Sequence, residues 1–358
     1  MGRQIASRVE VASLYLEQLD ENDIGIGLAD RYGIPRFETV GEAMAVGKTG
    51  VQVDGVVIIA EHGDYENNEF GQKLYPRRRM VDAAIASMVS AGKFVPIMDD
   101  KHLAWNFRDA KSTYDNSRRL GIPLLAGSTI PLSWRVPTGA EWPLDASMSE
   151  IVVVGFGPTE IYGHHNLEGL QAIAERHRGG ESGVVSVRAL SGVAARSAID
   201  DGTINRALLH QAMDALALDP LHKEQALRDV SGVFLVEYTD GLKAAVVSCG
   251  RHVQSWGIAA SGPGIEFACK IWLQPEPFGH ALFLVRQIES LFLNRSEPYP
   301  VERTLLSTGM LDALMHSLHD GGNVRQTPEL VISYRAVERI AGTGIHLPLP
   351  EPGQVVPN

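Results

Sequence analysis

Over its first 130 residues the chain alternates short apolar runs with amphipathic stretches, and each change of period marks an element boundary. Val9 to Leu16 reads as a buried strand and Asp23 to Tyr32 as a helix, which Gly33-Ile34-Pro35 breaks before helical spacing resumes from Val40 to Val46. Val51 to Ala60 carries few polar residues, as a strand does when helices cover both of its faces. Met80 to Ala91 puts Met80, Ala83, Ala84 and Ser87 on one face and stops at Gly92. Phe94 to Met98 is the next strand, Phe107 to Leu120 the next helix, and Ile122 to Ala126 another strand. That alternation predicts right-handed crossovers and a parallel sheet.

The pattern then changes. After Trp134-Arg135-Val136-Pro137 comes a loop, then strand Ile151 to Gly157, helix Glu160 to Glu175 and strand Val184 to Leu190. Val233 to Tyr238 and Leu242 to Ser248 read as a hairpin turned by Thr239-Asp240-Gly241. Phe267 to Leu273 is a further strand, followed by helices at Phe278 to Leu293 and Val301 to Leu318. This mixture predicts an α+β body on a mostly antiparallel sheet. Three parts follow: 1–132 as an incomplete Rossmann-like α/β domain with a parallel sheet, 133–346 as the α+β domain, and a proline-rich tail from Leu347 to Asn358 that regular structure cannot include.

Length supports two domains, because 358 residues exceed what one hydrophobic core usually serves. With 44% hydrophobic and 21% charged residues the composition is that of an ordinary globular protein. A net charge of -11 argues against nucleic acid as a partner, since binding phosphates needs clustered bases. Arg77-Arg78-Arg79 is short and reads as a solvated patch. Cys249 and Cys269 alone suggest neither a disulfide framework nor a structural zinc site, and a reducing cytoplasm fits. Residues 1–10 carry Arg3, Arg8 and Glu10 rather than an apolar signal, and no apolar run is long enough for a membrane span.

The chemistry concentrates at element ends. Asp100-Lys101-His102 lies just past the run Phe94 to Met98, at the carboxyl edge where open α/β sheets bind ligands. His165 occupies a similar place in the second half of the chain. The reading depends on Lys101 and His165 facing each other across one crevice.

In order along the chain, Val53-Asp54-Gly55-Val56-Val57-Ile58-Ile59, Ala91-Gly92-Lys93-Phe94-Val95, Asp100-Lys101-His102, Arg135 with Pro137, and Gly157 to Glu168 resemble the glucose-fructose oxidoreductase and inositol dehydrogenase family, Gfo/Idh/MocA. The resemblance covers nearly the whole chain. It departs from the family in two places: His102 replaces the proline of the acidic-Lys-Pro motif, and no Gly-x-Gly-x-x-Gly loop occurs, as though one βα unit were missing or the nucleotide site lost. The polar loop Glu61 to Glu69 resembles an uncharacterised bacterial branch.

The resemblance implies an NAD- or NADP-dependent dehydrogenase of a sugar, cyclitol or related polyol, and a homo-oligomer. It implies Lys101 as the group that stabilises developing oxyanion charge, His165 as the base, and Glu168 one turn later as the acid that orients it. Glu17 is implied at the adenosine ribose, with Glu61, His62 and Asp100 also toward the cofactor. Asp64, Tyr65, His102, Arg135, Glu160 and His164 are implied around substrate, while Tyr75, Arg77 and Trp134 line a sugar pocket or merely pack. A rival reading gives His62, Asp64, His102 and His165 to a divalent metal in a lyase, epimerase or hydrolase. A third makes the protein a non-catalytic binding module, which explains poorly why so many titratable groups gather at element ends.

Overall fold

The computed structural model describes residues 7–19, 23–351 and 354. Elements run β1 (Leu14–Tyr15), α1 (Ile24–Tyr32), β2 (Arg36–Phe37), α2 (Val40–Ala45), β3 (Val56–Ile58), α3 (Arg77–Ala91), β4 (Ile97–Asp100), α4 (Phe107–Leu120), β5 (Leu124–Gly127), β6 (Trp134–Val136), β7 (Glu150–Gly155) and α5 (Gly163–Ala174). There follow β8 (Val184–Leu190), α6 (Gly192–Asp200), α7 (Arg206–Ala215), α8 (Pro220–Arg228), β9 (Gly232–Tyr238), β10 (Lys243–Ser248), β11 (Trp256–Gly262), β12 (Ile265–Trp272), α9 (Ala281–Asn294), α10 (Glu302–His319) and β13 (Arg325–Gln326).

The parallel part forms two pieces, β1 with β2 and β3-β4-β5. Two expectations need correction here. β1 is two residues long and half-exposed rather than a buried strand over 9–16, and β3 is not covered on both faces, since Val57 and Ile59 are 42% and 70% exposed. Each of these strands has a ladder partner on one side only, β2 for β1 and β4 for β3, and an edge strand leaves its outer positions open to solvent.

The other sheet has the order β13-β8-β9-β10-β7-β11-β12-β6 and is antiparallel everywhere except between β7 and β10. Alternation along β7 sends Ile151 and Val153 to a core shared with Leu167 and Leu170 of α5 and Leu306 and Met310 of α10. Val152 and Val154 go to a second core with Leu208, Leu209, Ala212 and Met213 of α7. α3, α4 and the start of α10 close one side of β3-β4-β5, while Leu291 and Phe283 of α9 close the other. Helices late in the chain therefore return to the early sheet and hold both bodies together. No helix among the described residues is long and apolar enough to cross a membrane.

Behind α5 lies a buried polar network. Gln171 donates to Glu181 and to the Tyr334 hydroxyl (3.0 Å), and Glu181 also accepts from the Gly183 N–H at 2.7 Å. Burial pushes the Glu181 carboxyl up to about 7. The folded protein thus keeps this proton to higher pH than the unfolded chain. Its contribution is complete below the ordinary value of 4.5 and disappears as pH rises through about 7. Denaturant titrations are expected to show the wild type losing on the order of 2 kcal/mol across that window relative to Glu181→Gln. Parallel pH profiles of the two proteins would contradict this.

Candidate active site

Asp100 ends β4, and Lys101 turns the chain away with φ +66, a left-handed conformation that costs any residue with a Cβ. Its N–H donates to the Gly127 carbonyl at 3.2 Å, tying the turn to the end of β5. The ammonium pairs with Glu61, which follows the end of β3. Burial pulls the Lys101 ammonium below its usual range, and the nearby Glu168 carboxylate opposes that.

The facing wall is α5. Glu168 is almost fully buried and accepts from the Ser128 N–H and hydroxyl, both at 2.6 Å, while His165 Nδ1 lies 3.0 Å from the same oxygen as that hydroxyl. Burial alone would raise this carboxyl. His164, His165 and Ser128 outweigh it and hold Glu168 down at about 2, an acceptor across the physiological range. An ionised acceptor fixes the proton on His165 Nδ1 and leaves Nε2 with a lone pair.

Below these groups, His102 and His164 meet edge to face with centroids 5.3 Å apart. Burial keeps both neutral, His164 at about 3 and His102 well below the usual imidazole value. Tyr75 packs 6.3 Å from His102, and the Arg77 guanidinium stacks 4.9 Å over the Tyr75 ring. Arg77 donates from Nε to the Asp100 carbonyl at 3.2 Å and is completely buried, which corrects the expectation of a solvated Arg77-Arg78-Arg79 patch. Only Arg78 and Arg79 reach solvent. Burial raises the carboxyls of Asp99, of Asp100 (to about 6) and of Glu160, which accepts from the Lys73 N–H at 3.4 Å.

Pairwise contacts and charge thus connect Lys101 to Glu61 and Glu168, Glu168 to His165, His102 to His164, and Asp100 to Glu168, His165 and exposed His62. The charge of Glu160 acts on Arg77. Glu17 stands apart at the end of β1, clamped by Arg79 (2.6 and 2.7 Å), Tyr15 (2.8 Å) and Tyr65 (2.9 Å), with the Asp64 N–H donating to Gln18 beside it. Arg135 is not at the crevice. It is buried and spends its guanidinium on the carbonyls of Ile130, Pro131 and Ser133, so a substrate role is replaced by bracing the turn before β6. Trp134 packs, buried between Trp272 and Phe283. The metal alternative also fails on geometry. Among the described residues no three His, Cys, Asp or Glu side chains converge as an ion requires. Sequence reasoning missed Gly127 and Ser128, although the carboxyl-edge rule that selected Lys101 on β4 applies equally to β5.

The sequence matches no family model and no curated protein. Solved structures with the same arrangement include GenD2 from gentamicin A biosynthesis in complex with NAD, with TM-score 0.55, 14% identity and 85% of each chain covered. A probable dehydrogenase from Thermotoga maritima gives TM-score 0.53 at 12% identity, covering 87% of this chain and 90% of that one. The apo scyllo-inositol dehydrogenase from Lactobacillus casei gives TM-score 0.51 at 13% identity, with 84% and 86% covered. A parallel sheet followed by a larger, mostly antiparallel one, matched over most of each chain, gives this protein the fold of the Gfo/Idh/MocA-type dehydrogenases.

Proposed function

We propose that this protein is an NAD(P)-dependent oxidoreductase that oxidises a secondary hydroxyl of a sugar, cyclitol or related small polyol. The observation that supports the reading is Glu168 of α5, which lies 3.0 Å from His165 Nδ1 and whose charge acts on the Lys101 ammonium at the end of β4. Glu61, His62 and Asp100 around Lys101 offer acceptors for hydroxyl groups, which suits a polyol and the nicotinamide ribose. Glu17 fits adenosine ribose hydroxyls if they replace Arg79 as its donors. No pyrophosphate contact is assigned to any residue, since the sequence has no Gly-x-Gly-x-x-Gly turn. Among the neighbours, GenD2 was solved with NAD and the Lactobacillus enzyme is described as an inositol dehydrogenase.

The Lys101 ammonium donates to the substrate hydroxyl oxygen and stabilises the negative charge that grows there. His165 Nε2 removes the hydroxyl proton, and Glu168 stabilises the resulting imidazolium through Nδ1. Bound NAD(P) supplies the hydride acceptor. His102 and His164, kept neutral, add no charge to compete with Lys101.

The test is fluorescence titration with NADH and NADPH, followed by oxidation assays on a panel of inositols, aminocyclitols and nucleotide-free sugars, with metal content measured on the same sample. Nucleotide binding with turnover of a panel member is expected. Stoichiometric metal without nucleotide binding would overturn the reading.

A further inference from the structure

The dipeptide at the carboxyl end of β5 touches both arms of the crevice. The Gly127 carbonyl accepts the Lys101 N–H at 3.2 Å. The Ser128 N–H and hydroxyl each donate to a different oxygen of Glu168, both at 2.6 Å, and the Ser128 oxygen accepts the Ile130 N–H at 3.2 Å. Gly127 has φ +112, and a Cβ there would stand 3.0 Å from Glu168 Oε1 and 3.1 Å from Thr304 Oγ1, so the close approach requires glycine. Thr304 of α10 donates to the Ala126 carbonyl at 3.0 Å and locks the same strand end from behind.

We propose that Gly127-Ser128 is a positioning element, in which the glycine carbonyl sets the backbone of Lys101 and the serine aims the Glu168 carboxylate that orients His165. Its relevance to catalysis rests on the reading of Lys101 and His165 as the reacting pair, whereas its geometry does not. Lys101 follows β4 of the parallel sheet and His165 lies on α5, and the two residues of this dipeptide hydrogen-bond one to each side, Gly127 to the Lys101 N–H and Ser128 to Glu168. A hydroxyl and an N–H on separate oxygens also leave the carboxylate little rotational freedom, so its remaining lone pairs face the imidazole. The charged and titratable groups facing Glu168 are His164 and His165 on its own helix, Lys101 and Asp100 from the end of β4, and Tyr299 before α10.

Ser128→Ala removes one donor and keeps the backbone N–H. Without that second anchor the carboxylate can turn about its remaining bond, and its hold on the imidazole Nδ1 loosens. The readout is the His165 ring followed by nitrogen and proton NMR at one fixed pH, assigned by difference against His165→Asn. The Nδ1 proton resonance is expected to move upfield in Ser128→Ala, and to return to the wild-type position in Ser128→Thr, which restores the hydroxyl. A folded Ser128→Ala protein with an unchanged Nδ1 proton resonance would overturn the proposal. Should that variant not fold, Ser128→Cys, a weaker donor, is read the same way: an upfield shift supports the proposal and an unchanged ring overturns it. The measurement needs neither substrate nor nucleotide. A shift in a protein that oxidises nothing keeps the positioning element and removes the proposed function, while turnover without a shift does the reverse.

Discussion

Replacing Arg303 by methionine is expected to destabilise the protein by about 3–5 kcal/mol, as breaking one side of a buried ion pair does. Arg303 of α10 and Glu175 at the end of α5 are each 3% exposed. Arg303 Nε donates to Glu175 at 2.8 Å, its guanidinium stacks 4.7 Å over Tyr299, and the Tyr334 hydroxyl donates to the same carboxylate at 2.9 Å. Methionine fills most of the volume and leaves Glu175 with one neutral donor in a site that excludes water. The apparent melting temperature is expected to fall on the order of 10 °C. Adding Glu175→Gln to Arg303→Met should recover most of that loss, because the orphaned charge rather than the missing attraction is the larger cost. A loss below about 1 kcal/mol in the single variant, typical of solvent-exposed pairs, would mean that water reaches the pair. The consequence extends to the site, since α5 carries His165 and Glu168 and this pair pins its far end to α10.

The central elements were legible because local signals and tertiary demands agree there. α4 occupies residues 107–120 as its spacing predicts, with Asn106 capping its start and Gly121 in a left-handed turn at its end. β8 and the hairpin of β9 and β10 likewise fall where alternation places them. β11 was missed because Trp256-Gly257-Ile258-Ala259-Ala260-Ser261-Gly262 is rich in small residues, and its packing explains why. A Cβ at Gly257 would stand 2.1 Å from the Ala212 carbonyl oxygen of α7, and one at Gly262 as close to that of Ser147. The helices over 192–228 were passed over although Asn205 and Asp219 cap two of them and Pro220 starts the last. At the site, Lys101 and His165 stand near element ends, which drew the sequence reading to them, whereas Glu168, in the middle of α5, entered only through the resemblance. Ser128 follows a strand end of the same kind, but its bonds to Glu168 exist only when β5 and α5 meet. Arg135 misled for the opposite reason: an arginine near the crevice in sequence is consumed by three backbone carbonyls of its own turn.

Lys101→Ala and His165→Asn are each expected to lower kcat/KM by about 10²–10⁴-fold, the usual range for a positioned acid, base or oxyanion donor. The two losses should not add. Once the lysine no longer stabilises charge on the hydroxyl oxygen, the base has little developing charge to act upon, so the double variant should fall only slightly below the weaker single one. Lys101→Arg keeps the charge but is not expected to restore activity, because a longer, planar fork does not put its charge where the lysine places a point charge beside Glu61. Lys101→Ala leaves buried Glu61 without its partner, so a melting curve recorded beside each assay separates lost turnover from lost fold. The variants are assayed with the substrate that the polyol panel identifies, measuring nucleotide reduction. Full turnover in Lys101→Ala would remove the amine from the mechanism and leave His165–Glu168 to act alone.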